Sequence, residues 1–369
     1  MTRNVAGLVV YHKNRILLVR QRLSHTYSIP KGEIIGSETV LETAIRETLE
    51  ETGLHIPEMY IDKRHYIASC RVCGYIRKLF YHKAFLPDSF DVNIETSNNE
   101  EIEYADFYNF GTAINIIQVS QLAVLWDGSM QIDRRITDIM TKVGWLTCNR
   151  HPYSDLLIYD YTEKCKQESA WNEVTMWCRG LITDSKGNIV SRPLKKFFEY
   201  HQLYPECRPS DKNFLVSDKI DGFMGIMYWI DDMPYIATRD SFVSIPAIRG
   251  TSILYTKYAN DIDKLNRSYS YIFEIVYPNN SLVLDYGTTE DLFLIDVFDK
   301  RGISVMPHIG DMPFSVIRQC ENKFELIHYM EENKEGKEGY VIKYNSGERL
   351  KIKFPWFKKK YIGKHERKI

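Results

Sequence analysis

The chain has no apolar run approaching the roughly 18 residues needed to cross a membrane as a helix. Its first residues, MTRNVAGLVVYHKNR, do not have a signal-peptide architecture, because the short apolar run is broken by His12 and Lys13. These two absences predict a cytoplasmic or nuclear protein with no membrane partner. An excess of charge is also lacking: 48 Lys and Arg stand against 49 Asp and Glu, a net charge of −1. That excludes a bulk polyelectrolyte binder, so any nucleic-acid contact must come from a local basic face. Cysteine is sparse, with seven residues scattered over the chain, an odd count that makes no disulfide framework and points to reduced thiols. Cys70 and Cys73 form a CxxC, but no second ligand pair follows at zinc spacing, so both read as ordinary thiols. The ten histidines give no HExxH, and no Walker-type or GxGxxG loop is present.

What is present is an ordinary globular composition, 44% hydrophobic and 26% charged over 369 residues. At about 150 residues per domain that predicts two domains. The texture changes near residue 145, after DGSMQIDRR, which reads as a crossing between units. The expected divisions are 1–135 and 145–369, two mixed domains of different kinds, α/β and α+β. In the first, residues 4–20 read as two strands around a His-Lys-Asn turn, and 28–37 as a Pro/Gly loop. Residues 38–52 carry Val40, Leu41, Ala44, Ile45 and Leu49 at helical spacing, opened by Ser37 or Glu38 and closed by Gly53. Strands follow around 65–86, broken at Gly74, and 111–126 reads as an amphipathic helix. Beyond 145 strand-like runs dominate: LLIYDY, GLITD, GNIVSRP, GIMYWI, YIFEIVY, LFLIDVFD, GYVIKY and RLKIKF.

The predicted helix carries the first chemical constellation. Gly32, Glu38, Arg46, Glu47, Glu50, Glu51 and Gly53 are spaced G-x5-E-x7-R-E-x-x-E-E-x-G. Glu47 lies one turn from Glu50 and Glu51, so the three carboxylates share a side. Such a cluster repels itself unless neutralised, and a hard divalent cation with oxygen ligands does that beside phosphates. Arg46 and Glu38 can pair and fix the loop. This spacing resembles the Nudix box, with Thr48 where that family has an aliphatic residue. The resemblance covers about residues 1–130. It implies an α/β/α sandwich, Mg²⁺ or Mn²⁺, and attack of water on a diphosphate joined to another moiety, here an unidentified nucleoside diphosphate derivative. It makes Glu47, Glu50 and Glu51 metal ligands, with Glu50 and Glu51 also catalytic, and Glu101 or Glu103 a further carboxylate. Pro30-Lys31-Gly32 resembles family members acting on dinucleoside polyphosphates, diphosphoinositols and mRNA caps, which makes Lys31 a candidate polyphosphate contact.

The second constellation is centred on SDKIDGFMG, residues 217–225. A lysine that attacks phosphorus must be deprotonated, which predicts a lowered pKa at Lys219. Asp221 can orient the site and Gly222 lets the backbone turn tightly. Upstream stand CRGLITD with Arg179, and SRPLKKFFEY with Arg192, Lys195 and Lys196. Downstream stand Glu274 in YIFEIVYP, Glu338 in KEGYVIKY, and Lys351 and Lys353 in RLKIKF, two apart and on one face of a strand. Their order and spacing are similar to the nucleotidyltransferase motifs of covalent polynucleotide ligases, and HPYSDLLIYDYT, WNEVTMWCRG and RPLKKFFEY resemble the bacteriophage RNA ligase 1 family.

That resemblance covers about 145–355 and implies an adenylylation domain with antiparallel sheets. It also implies ATP as substrate, RNA as partner (tRNA among the possible targets), and Lys219 as the adenylylated nucleophile. By the same resemblance Glu274 holds the ribose, Glu338 a metal, Arg179 and Lys196 phosphates, and Tyr161 is a nucleotide contact. Two alternatives are an mRNA guanylyltransferase using GTP and a catalytically silent RNA-end-binding protein. Sixteen residues follow Lys353, too few for the OB-fold of capping enzymes or a helical tRNA-specificity domain. From Lys351 onward eight Lys and Arg face one Glu, a basic tail that is a candidate RNA contact.

Overall fold

The computed structural model describes residues 2–72, 75–96, 99–126, 128, 130–203, 212–278, 282–306 and 312–366. Cys73 and Gly74 lie outside them, as do Arg367, Lys368 and Ile369 of the basic run. Two compact units result. The first comprises Met1–Thr147 and Tyr161–Met176, the second Cys148–Asp160 and Trp177–Ile369. The chain therefore passes between units more than once, where the sequence predicts a single crossing. No helix among the described residues is long and apolar enough to cross a membrane.

The first unit is built on a seven-stranded mixed sheet of β1 (Thr2–His12), β2 (Arg15–Gln21), β3 (Tyr27–Ser28), β4 (Lys31–Glu33), β5 (Tyr66–Val72), β6 (Tyr75–Leu86) and β7 (Ile102–Asn109). β1 and β6 pair in parallel along their length, and the other pairings are antiparallel. Alternation sends Leu8, Val10, Leu17 and Ala84 to one face, where they pack on Ala44 of helix α1 (Val40–Thr52). Tyr11 and Lys83 point to the other face, bonding the carbonyls of Val124 and Trp126.

α1 begins later than predicted because Thr39 and Glu42 form a reciprocal capping box, which outcompetes Ser37 and Glu38. Leu49, expected on the buried face, is 42% exposed, and Thr43, Thr48 and Thr52 are buried instead. The Thr48 hydroxyl donates to the Ala44 carbonyl at 2.7 Å, so the methyl packs without an unsatisfied polar atom. The predicted helix 111–126 is two pieces, α2 (Phe110–Ile116) and a 3₁₀ segment Val119–Leu125. It breaks where the Gln118 amide leaves the helix ladder to donate to the Tyr27 carbonyl at 3.0 Å. α3 (Arg134–Val143) follows.

The second unit holds β8 (Leu146–Arg150), β9 (Leu157–Tyr161), β10 (Arg179–Thr183) and β11 (Ile189–Ser191) in one four-stranded sheet. Between β9 and β10 the chain re-enters the first unit and forms two short helices, α4 (Glu163–Gln167) and α5 (Glu173–Trp177). Next come β12 (Phe198–Glu199), β13 (Phe214–Lys219), β14 (Phe223–Ile230), β15 (Met233–Ala237), α6 (Ile245–Lys257), β16 (Ser270–Val276), β17 (Asp291–Phe298), β18 (Ser315–Val316) and β19 (Gln319–Glu321). The chain ends with α7 (Leu326–Glu331), β20 (Gly339–Tyr344), β21 (Arg349–Lys353) and α8 (Pro355–Glu366).

Two five-stranded sheets carry the site, ordered β12-β21-β20-β13-β19 and β15-β14-β16-β17-β18. Both are antiparallel except at β12–β21 and β17–β18. α6 lays Ile253 and Leu254 on Phe273, Ile275, Leu292 and Leu294. Fully buried Asp296 of β17 binds Lys343 of β20 and Arg349 of β21, a charge cluster that joins the two sheets. Removing one partner would strand a buried charge, which is strongly destabilising.

Candidate functional site

In the first unit the box residues converge between α1 and the loop before it. Arg46 organises them. Its Nε and Nη2 donate to the two Glu38 oxygens at 2.8 and 3.0 Å, and Nη2 also reaches the Glu33 carbonyl at 3.1 Å. Nη1 donates to Glu47 at 2.7 Å and Glu50 at 2.9 Å. The Arg46 hydrogen bonds, with the Thr43 hydroxyl, hold the Glu38 carboxyl at about 2. Glu51 is buried and accepts the Lys31 amide N–H at 3.1 Å. Burial pushes its carboxyl up to about 8, and burial raises Glu47 as well. Glu50 is exposed.

Lys31 does not reach outward as expected of a polyphosphate contact. It is buried, its Nζ donates to the Ser28 hydroxyl at 3.1 Å, and burial lowers its pKa. Of the two extra carboxylates, Glu103 is held by Arg20 at 3.1 Å and His25 at 3.0 Å. Glu101 is the one whose charge bears on Glu47 and Glu51. Gly53 caps the C-terminus of α1.

Among the described residues no three His, Cys, Asp or Glu side chains are gathered into a metal cage. Arg46 stands between Glu47 and Glu50 instead. The donor set still suits a hard divalent cation. It is all oxygen, and Glu47 and Glu51 are carboxylates whose charge burial disfavours, a cost that a bound cation would offset.

Gly32 faces this cluster at a distance that admits no side chain. A β-carbon there would fall 2.1 Å from the Glu47 carboxyl atoms. Since Glu47 can swing away, Gly32→Ala is expected to keep the thermal midpoint while displacing that carboxylate. Diphosphate hydrolysis should fall about 100-fold, the scale of a misplaced catalytic group. Unchanged hydrolysis would show that Glu47 is not needed where it stands.

In the second unit Lys219 ends β13, and Ile220-Asp221-Gly222 carries the chain across to β14 in the other sheet. The lysine motif is thus the crossover between sheets, which explains its tight spacing. Asp218 pairs with Tyr340 and Lys219 with Gly339, so Glu338 comes beside the Lys219 side chain. Lys219 Nζ donates to one Glu338 oxygen at 2.9 Å, and Lys353 Nζ lies 2.9 Å from the other. Gly222 backs onto Glu274, where a β-carbon would lie 2.6 Å from Glu274 Cγ. Asp221 accepts the Val283 and Leu284 amides at 2.7 and 2.9 Å, and its own N–H donates to the Tyr286 hydroxyl at 2.9 Å. Burial raises Asp221, and burial pushes Glu274 up to about 7.

The expected lowering of Lys219 is not observed. Burial works in that direction, but the Glu338 and Glu274 carboxylates outweigh it and the pKa is raised. Lys351 is the lowered lysine, at about 8, through burial and the neighbouring Arg179, Lys353 and Lys219 cations. Arg179 and Lys351 stand 5.8 and 5.9 Å from the Phe197 ring centroid. Lys196 bonds the Phe197 carbonyl at 2.8 Å, with its ammonium 3.7 Å from the Phe198 ring centroid.

Tyr161 is buried, edge-on to Trp171 at 5.1 Å, with Lys166 5.9 Å from its ring centroid, which is a packing environment. Arg192 is fully buried, bonds the Lys300 carbonyl and lies over Trp177, as does Lys195. Arg192 therefore serves the core, whereas Lys195 is half-buried. Tyr286 lies in no sequence motif, and with 25 tyrosines in the chain nothing in the sequence singles it out.

Residues 1–121 match the NUDIX domain family, so the N-terminal part of the chain is a Nudix domain. Similar solved structures include the C. elegans Ap4A hydrolase in a binary complex, at 21% identity, covering 38% of this chain and 98% of that one, with a TM-score of 0.28. The MutT protein from Methanosarcina mazei Go1 is 11% identical over 34% of this chain and 90% of that one, with a TM-score of 0.28. A bifunctional NMN adenylyltransferase/ADP ribose pyrophosphatase from Francisella tularensis, complexed with AMP and a Mn ion, is 13% identical over 39% of this chain and 42% of that one, with a TM-score of 0.30. No curated protein matches the chain.

Proposed function

We propose that the chain is a bifunctional RNA end-processing enzyme, an ATP-dependent RNA ligase (145–369) joined to a Nudix pyrophosphohydrolase (1–135). The observation that carries the ligase half is the meeting of Lys219, Glu338 and Lys353 at the end of one sheet, with Lys351 on the same strand face and Glu274 behind Gly222. In this reading Lys219 Nζ, having lost its proton, attacks the α-phosphorus of ATP. A P–N bond forms and the bond to pyrophosphate breaks. An RNA 5′-phosphate oxygen then takes the adenylyl group, breaking the P–N bond. Finally a 3′-hydroxyl attacks the RNA phosphorus and AMP leaves. Negative charge gathers on one phosphoryl group at each step, and the Arg179, Lys351 and Lys353 cations are placed to stabilise it.

In the Nudix half, Glu47, Glu50 and Glu51 would hold a divalent cation, Mg²⁺ or Mn²⁺. That cation would supply charge neutralisation at the diphosphate and a more acidic water. Adenylyl transfer needs a 5′-monophosphate, and hydrolysis of a pyrophosphate-linked end leaves one. The Nudix half therefore prepares ends for the ligase half or clears a nucleoside diphosphate derivative.

Incubation with labelled ATP and, separately, labelled GTP tests the ligase half. A protein-bound label from ATP alone is expected. Label from GTP alone would make the chain a guanylyltransferase, and no label from either nucleotide would make it a silent end-binding protein.

A further inference from the structure

As far as Glu366, the basic run after Lys353 is a docked helix. α8 is anchored by Phe357, which is 1% exposed, and by Lys358, whose Nζ lies 2.6 Å from Glu199. The Asn333 side chain accepts the Trp356 amide at 2.9 Å. Phe357 and Tyr361, one turn apart, stack with ring centroids 6.4 Å apart. The Lys353 ammonium lies 5.2 Å from the Phe357 centroid and 5.6 Å from that of Tyr361. The same ammonium shares Glu338 with Lys219. Tyr361 is nevertheless 45% exposed.

Beside it, Lys359 and Lys360 are exposed, and no acidic side chain pairs with either among the described residues. Lys360 lies 5.6 Å from the Trp356 ring centroid. One helix thus presents exposed cations and a half-exposed aromatic ring that leads inward to Lys353 and Lys219. That combination suits single-stranded nucleic acid, whose phosphates meet the cations and whose bases stack on rings.

We infer that the outer side of α8 is the landing site for the RNA end, with Tyr361 stacking the terminal base beside Lys353 and with Lys359 and Lys360 meeting backbone phosphates. This rests on the ligase reading and assigns a substrate-binding element to it. RNA is favoured over the adenine of ATP because the ring and the cations are spread along an exposed helix, where the successive phosphates and bases of a strand can be met together.

The test measures binding of a labelled single-stranded RNA carrying a 5′-phosphate to the full chain, with ATP adduct formation recorded in parallel without RNA. Tyr361→Ala is expected to weaken RNA binding about tenfold, and Tyr361→Trp to restore it. The double substitution Lys359→Ser and Lys360→Ser should make the plot of log affinity against log salt shallower by about one to one and a half. Unchanged RNA affinity in Tyr361→Ala, or identical salt slopes, overturns the inference. So does a loss of adduct as large as the loss of RNA binding, because Tyr361 would then act by holding Lys353. Absence of any adduct in the unaltered chain counts against the ligase reading, and RNA binding still judges the helix.

Discussion

Lys219→Ala is expected to abolish the covalent adenylate, a drop of at least about 1,000-fold in labelled protein, because the substitution removes the bond-forming amine. Hydrolysis by the Nudix domain should be unchanged, since the two sites lie in separate units and share no residue. The substitution is informative because the charge pattern offers a competitor. Lys351, lowered to about 8, is closer to a free amine at neutral pH than Lys219, which Glu338 and Glu274 keep charged. On pKa alone Lys351 would be the nucleophile.

Position argues the other way. Lys219 ends its strand and opens the crossover in which Gly222 lies against Glu274, whereas Lys351 sits within β21, beside the Phe197 ring. Electrophoresis under denaturing conditions, run on Lys219→Ala and Lys351→Ala together, decides. If the label persists in the first and vanishes in the second, the roles are reversed. Because Lys219 is held protonated, adduct formation by the unaltered chain should accelerate as pH rises through neutrality, toward tenfold per unit. A flat profile would mean that ATP binding itself removes the Glu338 contact.

The two candidate-site strings are legible because their chemistry is local. The Nudix helix reads directly from spacing, since one turn brings Glu47 beside Glu50 and Glu51 whatever the rest of the chain does. Strands such as Asp291–Phe298 and Gly339–Tyr344 read from short apolar runs. What the sequence concealed depends on partners far away in the chain. The raised pKa of Lys219 comes from Glu338, 119 residues on. Lys31, a candidate polyphosphate contact from sequence, is buried with its Nζ bonded to the Ser28 hydroxyl at the end of β3. Lys83 and Asp296 look like surface charges and are buried, one capped by the Trp126 carbonyl and the other by two cations. The helix Ile245–Lys257 went unread despite Ser244 as cap and Pro246 in its first turn, because Val243, Ile245 and Ile248 are exposed and blur its apolar face.

Glu51→Gln is expected to lower hydrolysis of a dinucleoside polyphosphate by about 1,000-fold at saturating Mg²⁺ while leaving the thermal midpoint and the ATP adduct unaltered. Glutamine keeps the size of the side chain, and its carbonyl can still accept the Lys31 amide, so the fold around α1 has no reason to change. What is lost is the charge. Glu51 is the buried carboxylate of the three, and burial raises its pKa well above the ordinary carboxylate range, which favours a proton there in the metal-free site. A divalent cation must displace that proton to use the oxygen. Apparent Mg²⁺ affinity should therefore rise toward tenfold per pH unit between about 6 and 8, then level off once the carboxyl is ionised. In Glu51→Gln this dependence should disappear. Glu50→Gln provides the contrast: Glu50 is exposed and its side chain, among the described residues, bonds Arg46, so its loss should cost less and leave the pH dependence of Mg²⁺ affinity in place. Equal losses for the two variants, or Mg²⁺ affinity in the unaltered chain that ignores pH, would remove Glu51 from the metal site and leave the buried carboxyl as a partner of Lys31 alone.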